Sequence, residues 1–151
     1  MSELVQLEAV AGLSFEDIEL GMHASLENTV AESDIQSFAE ITGDHNPVHL
    51  DEVYAAKSQF KGRISHGMLT AGYISAVFGM RLPGPGAIYV SQTLNFRRPV
   101  RIDDLITTSV KVVELLPLKR CVRFECVCSN GEGKVVLQGD AMLMVPERTS
   151  T

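Results

Sequence analysis

The eight residues 42–49 concentrate groups of this chain that could transfer a proton. They include a carboxylate at Asp44, an amide at Asn46 and imidazoles at His45 and His49, together with one glycine and one proline. This composition favours an irregular, rigid turn. An imidazole has a reference pKa of about 6.5 and can therefore exchange a proton near neutral pH. On these residues alone, the stretch is either a turn that Asp44 stabilises or a site of proton transfer.

A metal site is a third interpretation, because Asp44, His45, His49 and His66 all carry possible ligand atoms. Their spacing matches no compact ligand motif, so we expect no metal ion. His45 is expected to face solvent, and His23 to lie on the surface or on an edge strand. For His66 we favour a structural role at the start of a helix over a place in a pocket wall.

The element before this stretch is predicted to be a short amphipathic helix. Ser33 and Gln36 have the spacing of a capping box, and apolar residues then recur at helical spacing up to Thr42. Gly43 stands where a glycine that ends a helix belongs. The stretch is therefore the exit loop of this helix, and residues 51–56 are predicted to form a second short helical piece.

A long helix is predicted from about Ser65 to Leu82, where the sequence is apolar on nearly every side. Such a helix in a soluble protein is one that other elements wrap. The run Pro83-Gly84-Pro85-Gly86 cannot continue it. We expect this helix to be fully buried, with one side lining a pocket.

Strands are predicted where apolar residues recur at every second position. The first is a short one at residues 23–30, and the others lie within residues 88–96, 106–112, 122–128 and 135–145. Residues 130–133, Asn-Gly-Glu-Gly, form a hairpin-type turn. Short loops between successive strands imply an antiparallel meander with the long helix against its concave face, which is an α+β fold.

Composition limits the remaining possibilities. With 151 residues and 45% hydrophobic content, residues 1–151 suit one domain, with residues 1–20 as an N-terminal arm or a lead-in to the first strand. A net charge of −6 argues against nucleic-acid binding. Cys121, Cys126 and Cys128 fit reduced core thiols, and no signal or membrane segment is visible. We expect a soluble cytoplasmic protein without a membrane partner.

The stretch around Asp44 resembles the signature of the MaoC-like (R)-specific enoyl-CoA hydratases of the hydratase 2 type. The matching positions are Phe38, Ile41, Thr42, Gly43, Asp44, Asn46, Pro47, Val48, His49 and, after five further residues, Ala55. Residues 65–69, Ser-His-Gly-Met-Leu, and 91–96, Ser-Gln-Thr-Leu-Asn-Phe, look like later blocks of the same family. The resemblance covers roughly residues 20–146.

This resemblance implies a hot-dog fold, in which an antiparallel sheet wraps one long helix, and a homodimer or a higher homo-oligomer. It implies a hydro-lyase that reversibly adds water to a trans-2-enoyl-CoA and yields an (R)-3-hydroxyacyl-CoA. Asp44 and His49 would hold and deprotonate the water, and the Gly67 N–H would face the thioester oxygen. Asn46 and Ser75 are weaker members of the site. No cofactor is implied beyond the coenzyme A of the substrate.

Several alternatives share these residues. The chain could be a dehydratase acting on 3-hydroxyacyl groups carried by acyl carrier protein (ACP) or on a specialised acyl-CoA, a hot-dog thioesterase, or a non-catalytic module that binds acyl thioesters. Basic residues are either solvated surface charges or contacts to the phosphates of coenzyme A: Lys57, Lys61, Arg63, Arg97 and Arg98. An exposed edge strand at the end of a meander also favours a homodimer.

Overall fold

Residues 11–148, which a computed structural model describes, form one six-stranded antiparallel sheet with a long helix against it. The strands are β1 (His23–Thr29), β2 (Ile88–Gln92), β3 (Asn95–Phe96), β4 (Leu105–Leu116), β5 (Cys121–Ser129) and β6 (Val135–Met144). The helices are α1 (Glu32–Thr42), α2 (Pro47–Leu50), α3 (Glu52–Ala56) and α4 (Gly67–Met80). The α+β hot-dog architecture expected from the resemblance is therefore confirmed.

The meander is correct for β4, β5 and β6, which pair in sequence order, and wrong for the strands before them. The sheet order is β1-β4-β5-β6-β2, and β3 also pairs with β6. The connection of residues 97–104 is long enough to carry the chain from one side of the sheet to the other. Gly139 of β6 permits the close approach of residue 93, because a Cβ at Gly139 would lie 1.9 Å from the Thr93 carbonyl oxygen.

The helix α4 is buried on one face only, so the prediction of a fully buried helix is wrong for this chain by itself. Its buried residues are Thr70, Ile74, Val77 and Phe78. The opposite face is exposed, at Met68, Gly72, Ser75, Ala76 and Gly79. The sheet of one chain can cover only one side of a helix, and the uncovered side carries small and apolar residues rather than charges.

The start of α1 differs from the predicted capping box. The helix begins at Glu32, and the Asp34 carboxylate accepts a hydrogen bond of 2.9 Å from the Ala31 N–H. Gln36 instead bonds Glu32 across one helical turn, at 3.1 Å. The end of the helix is as predicted, because Gly43 has φ 82° and its N–H bonds the Ala39 carbonyl at 2.8 Å.

The described part of the N-terminal segment is attached to the body of the fold. The Leu13 N–H donates to the Pro83 carbonyl and the Phe15 N–H to the Pro146 carbonyl, each at 2.8 Å. Ile18 belongs to the core. From residue 13 onwards the segment is therefore not a loose arm, while residues 1–10 of the predicted arm lie outside the described range.

Two smaller expectations concern the cysteines and the helix lengths. The three cysteines are free and buried, as the interpretation of core thiols required. Among residues 11–148, none of the helices has both the length and the apolar character needed to cross a bilayer.

Candidate active site

One cavity brings together three of the residues that the resemblance places in the site. Asp44, His49 and Gly67 lie in the wall of a cavity of about 380 Å³. Its other lining residues are Phe38, Thr42, His66 and Met68. The loop after α1, the short helix α2 and the first residues of α4 therefore meet at this point.

Side chains of the loop form its own backbone turns. Asp44 Oδ1 accepts a hydrogen bond from the Asn46 N–H, and Asn46 Oδ1 accepts one from the Val48 N–H, each at 3.2 Å. Asn46 is thereby the N-cap of α2, which begins with Pro47. Both roles open for Asp44 in the sequence are compatible, because its turn bond uses Oδ1 and leaves Oδ2 without a hydrogen bond to any of residues 11–148.

The hydrogen bond of the His49 ring fixes its tautomer. Nδ1 lies 2.8 Å from the Ile64 carbonyl oxygen, which can only accept, so Nδ1 carries the hydrogen. The neutral ring then has its lone pair on Nε2. The residue is 8% exposed, and its own carbonyl accepts a bond of 2.7 Å from Arg63 Nε. His49 is thus oriented at both its backbone and its ring.

Burial is the main cause that lowers the pKa of His49 from its ordinary value of 6.5. The bond to the Ile64 carbonyl and the charge of Asp44 oppose this shift, while repulsion from His66 adds to it. His49 is therefore neutral at pH 7, with a lone pair on Nε2 that can accept a proton.

Gly67 is the first residue of α4, where backbone N–H groups have no partner within the helix. A Cβ at this position would lie 2.6 Å from Cε1 of Phe96, so the aromatic ring occupies the space of a side chain. The N-terminal end of a helix is also electropositive. The Gly67 N–H can consequently stabilise an oxygen that develops negative charge.

His66 makes more contacts within the site than the sequence indicated. The ring is 2% exposed, its Nε2 lies 3.0 Å from the Asp44 carbonyl oxygen, and it stacks on His49 with ring centroids 3.9 Å apart. The structural role expected for it is compatible with these contacts. In the sequence, the sign that His66 lies near the site was its position directly before Gly67.

The structure also brings three possible metal ligands together. One ligand atom each of Asp44, His49 and His66 lies within 4.8 Å of the other two. Sequence spacing did not indicate this cluster, because His66 is distant in the chain. Each imidazole already donates one N–H to a backbone carbonyl, which leaves only one nitrogen of each ring for a further partner.

Ser75 is not part of this cluster. It lines a second cavity, of about 400 Å³, along the exposed face of α4 beside β2. Met68 belongs to the walls of both cavities. Ser75 therefore lies beyond Met68 from Asp44 and His49, where it could contact only a more distant part of a bound molecule.

A third cavity, of about 460 Å³, has His49, Gly67 and Met68 in its wall as well. The rest of its lining is mainly apolar and includes Phe60, Ile64, Phe96, Val100, Val136 and Leu137. Arg97 and Arg98 also line it. An elongated apolar molecule could thus pass Gly67 with one end near two guanidinium groups and the other along α4.

The basic residues separate into bound and available groups. Arg63 forms an ion pair of 2.8 Å with Glu32, and Arg98 donates to the Val135 carbonyl at 2.7 Å. The side chain of Arg97 makes no hydrogen bond or ion pair with residues 11–148. Among the two arginines that line the third cavity, Arg97 is therefore the one with its charge free for a ligand.

Comparison with known proteins gives consistent results. Residues 15–128 match the family described as MaoC like domain. The chain is 55% identical to a protein of Rhodospirillum rubrum named (R)-specific enoyl-CoA hydratase. The 134 aligned residues are 89% of this chain and 92% of that protein. It is 54% identical over 136 residues to the 3-hydroxybutyryl-CoA dehydratase of Methylorubrum extorquens, covering 90% of this chain and 86% of the relative.

Among solved structures, the fold is similar to the R-hydratase PhaJ1 of Pseudomonas aeruginosa in its unliganded form. The two agree with a TM-score of 0.86 at 46% sequence identity, over 91% of this chain and 88% of the other. The similarity thus extends over most of the chain.

The lowered pKa of His49 gives a testable titration. We expect the His49 ring to become protonated only as the pH falls through a value below 6.5, because burial penalises the charged form. Two-dimensional NMR of the imidazole resonances between pH 4.5 and 8 would measure it, with the His49→Gln variant identifying the signal by its loss. A midpoint at or above 6.5 would contradict the interpretation.

Proposed function

Because the chain belongs to the MaoC-like domain family, we propose that it is an (R)-specific enoyl-CoA hydratase. The reaction is the reversible addition of water to a trans-2-enoyl-CoA, which gives an (R)-3-hydroxyacyl-CoA. One observation carries the proposal: a single cavity contains the Asp44 carboxylate, the His49 ring and the start of α4 at Gly67. The names of relatives at 54% and 55% identity support the reaction and its stereochemistry.

In this mechanism a water molecule binds between Asp44 Oδ2 and His49 Nε2, both of which can accept its hydrogens. His49 Nε2 takes a proton as the water oxygen forms a bond to the β carbon. The π electrons of the double bond move towards the thioester, whose oxygen becomes an enolate. The Gly67 N–H donates to this oxygen, and the electropositive helix end stabilises its charge.

The second half of the reaction returns the proton. The enolate electrons form a bond from the α carbon to hydrogen, which the Asp44–His49 pair delivers, and the thioester carbonyl is restored. The sum is one water added, with hydroxyl at the β carbon and hydrogen at the α carbon. Each step can run backwards, so dehydration of the 3-hydroxyacyl thioester uses the same groups, and neither direction needs a metal or a further cofactor.

Charge distribution orients the proposed substrate. Coenzyme A ends in phosphates, and Arg97 offers a free guanidinium in the wall of the third cavity. The carrier arm would therefore lie in this cavity and the acyl chain along α4 towards Ser75, which lines the cavity on the other side of Met68. Dehydration of acyl groups on ACP remains the alternative, because both carriers present the same phosphopantetheine arm.

We also propose a homodimer in which two copies pair through β2. This strand is at the edge of the sheet, with Ile88 58% and Val90 53% exposed. The uncovered face of α4 is exposed as well. A second copy could cover both surfaces and remove the open edge.

The three unpaired core thiols suit a reducing compartment and support the expected cytoplasmic location.

The decisive experiment offers the purified protein crotonyl-CoA and longer trans-2-enoyl-CoAs. We expect the conjugated absorbance to fall without release of free thiol, and the activity to persist in EDTA. The Asp44→Asn variant should lose about 10²- to 10⁴-fold in kcat, because it removes an acid–base group. The matched control is Asp103→Asn, an exposed position with φ 71° that asparagine also tolerates.

Each outcome of this experiment separates the alternatives. Thiol release from saturated acyl-CoA would indicate a thioesterase instead. Binding of enoyl-CoA without any turnover would indicate a non-catalytic module. An unchanged rate in Asp44→Asn would show that Asp44 is not in the catalytic pair.

The proposed carrier contact predicts a specific effect of Arg97→Ala. We expect KM for crotonyl-CoA to rise about fivefold, equivalent to about 1 kcal/mol for a partly exposed ion pair, with kcat unchanged. The effect should vanish with crotonyl-pantetheine, which lacks the phosphates. Lys119→Ala, a loss of the same charge outside the three cavities, should leave KM unaltered. An equal effect on both substrates would refute the phosphate contact.

The proposed dimer predicts a species of twice the 16.5 kDa chain mass in sedimentation equilibrium. Val90→Lys should shift it towards monomer, because it places a charge on the edge strand. Val53→Lys, which changes an exposed valine of α3, should remain dimeric. A monomeric wild-type chain at micromolar concentration would contradict the assembly.

A further inference from the structure

The loop that carries Asp44 has one hydrogen bond to a distant part of the chain. Within residues 11–148, every other hydrogen bond of residues 43–46 joins groups no more than four positions apart. The exception runs from His66 Nε2 to the Asp44 carbonyl, at 3.0 Å and across 22 positions. The orientation of Asp44 relative to α4 therefore depends on His66.

This bond fixes the protonation pattern of the His66 ring. The Asp44 carbonyl can only accept, so Nε2 must carry a hydrogen. Nδ1 is buried and makes no hydrogen bond with residues 11–148. With Nδ1 enclosed and Nε2 committed to the loop, the ring is not placed to exchange protons with substrate. His66 therefore does not itself belong to the catalytic pair.

The same ring contacts the other parts of the site. It contacts the Phe38 ring, at a centroid distance of 4.7 Å and an interplanar angle of 49°, and the His49 ring, at 3.9 Å and 32°. Its backbone is joined directly to Gly67, which is the first residue of α4 and lies in the cavity wall. One residue thus touches the carbonyl of Asp44, the face of His49 and the proposed oxyanion donor.

We propose that His66 is a positioning residue for the hydration reaction, holding Asp44 and His49 in register with the Gly67 N–H. This inference rests on the proposed function. Replacing His66 should lower kcat more than it lowers the free energy of unfolding. A neutral hydrogen bond contributes about 1 kcal/mol to folding, whereas a displacement of about 1 Å in a catalytic group can lower a rate about 100-fold.

Three substitutions at His66 separate the hydrogen bond from the packing. His66→Phe keeps an aromatic ring between Phe38 and His49 but has no donor. His66→Gln keeps an N–H donor near the position of Nε2, whereas the shorter His66→Asn places its amide near the position of Nδ1. We expect kcat for crotonyl-CoA to fall about 100-fold in the Phe and Asn variants, and to stay within about tenfold of wild type in the Gln variant.

A pH profile tests the contact between the His66 and His49 rings separately from the value of kcat. The groups that influence the His49 ring are the Ile64 carbonyl, Asp44 and His66, while Arg63 bonds the His49 backbone. Repulsion from His66 is one cause that lowers the His49 pKa. Replacing His66 by Phe or Gln removes it, so the acid limb of kcat/KM should move to higher pH in both variants.

The wild-type assay is performed first, so that failure of the function and failure of the inference are distinguishable. If the wild-type protein hydrates enoyl-CoA, a His66→Phe variant within threefold of its kcat would overturn the positioning role, whatever the position of its acid limb. If His66→Phe does not fold, the Gln and Asn variants decide: equal kcat values in these two would overturn it, and a Gln variant about tenfold or more faster than Asn would support it.

Discussion

The small space above Gly67 is the constraint on which the site depends. A helix N-terminus offers unpaired N–H groups, and a glycine leaves them accessible here, since a Cβ would approach the Phe96 ring to 2.6 Å and require the ring to move. The aromatic ring closes one side, and the loop after α1 closes another. The proposed thioester oxygen can then meet backbone N–H groups in a largely apolar surrounding, where electrostatic stabilisation is stronger than in water.

Burial divides the proposed acid–base work between two different environments. Asp44 is exposed, whereas His49 is buried and committed through Nδ1 to a backbone carbonyl. The buried imidazole resists protonation and keeps its lone pair, while the exposed carboxylate can hold a water that enters from solvent. The two roles differ because the two environments differ: desolvation lowers the pKa of His49 only because this ring is buried.

Elements with one buried face and a local end signal were predictable from sequence. Alternation located β4, β5 and β6 because the sheet buries every second residue, and Gly43 marked the end of α1 because that turn requires a positive φ. The exposure of one face of α4 was not predictable, since an apolar helix face looks alike in sequence whether its own sheet covers it or not. The pairing of β2 with β6 depends on a long crossover and on the contact of Thr93 with Gly139, neither of which is a local signal.

The site itself was predictable only in part, for a related reason. Asp44, His49 and Gly67 were assigned by resemblance, because chemistry requires particular residue types at those positions. His66 was placed correctly at the start of α4, but its bond goes to a backbone carbonyl, which any residue at position 44 would supply. The types of the side chains therefore cannot reveal this hydrogen bond.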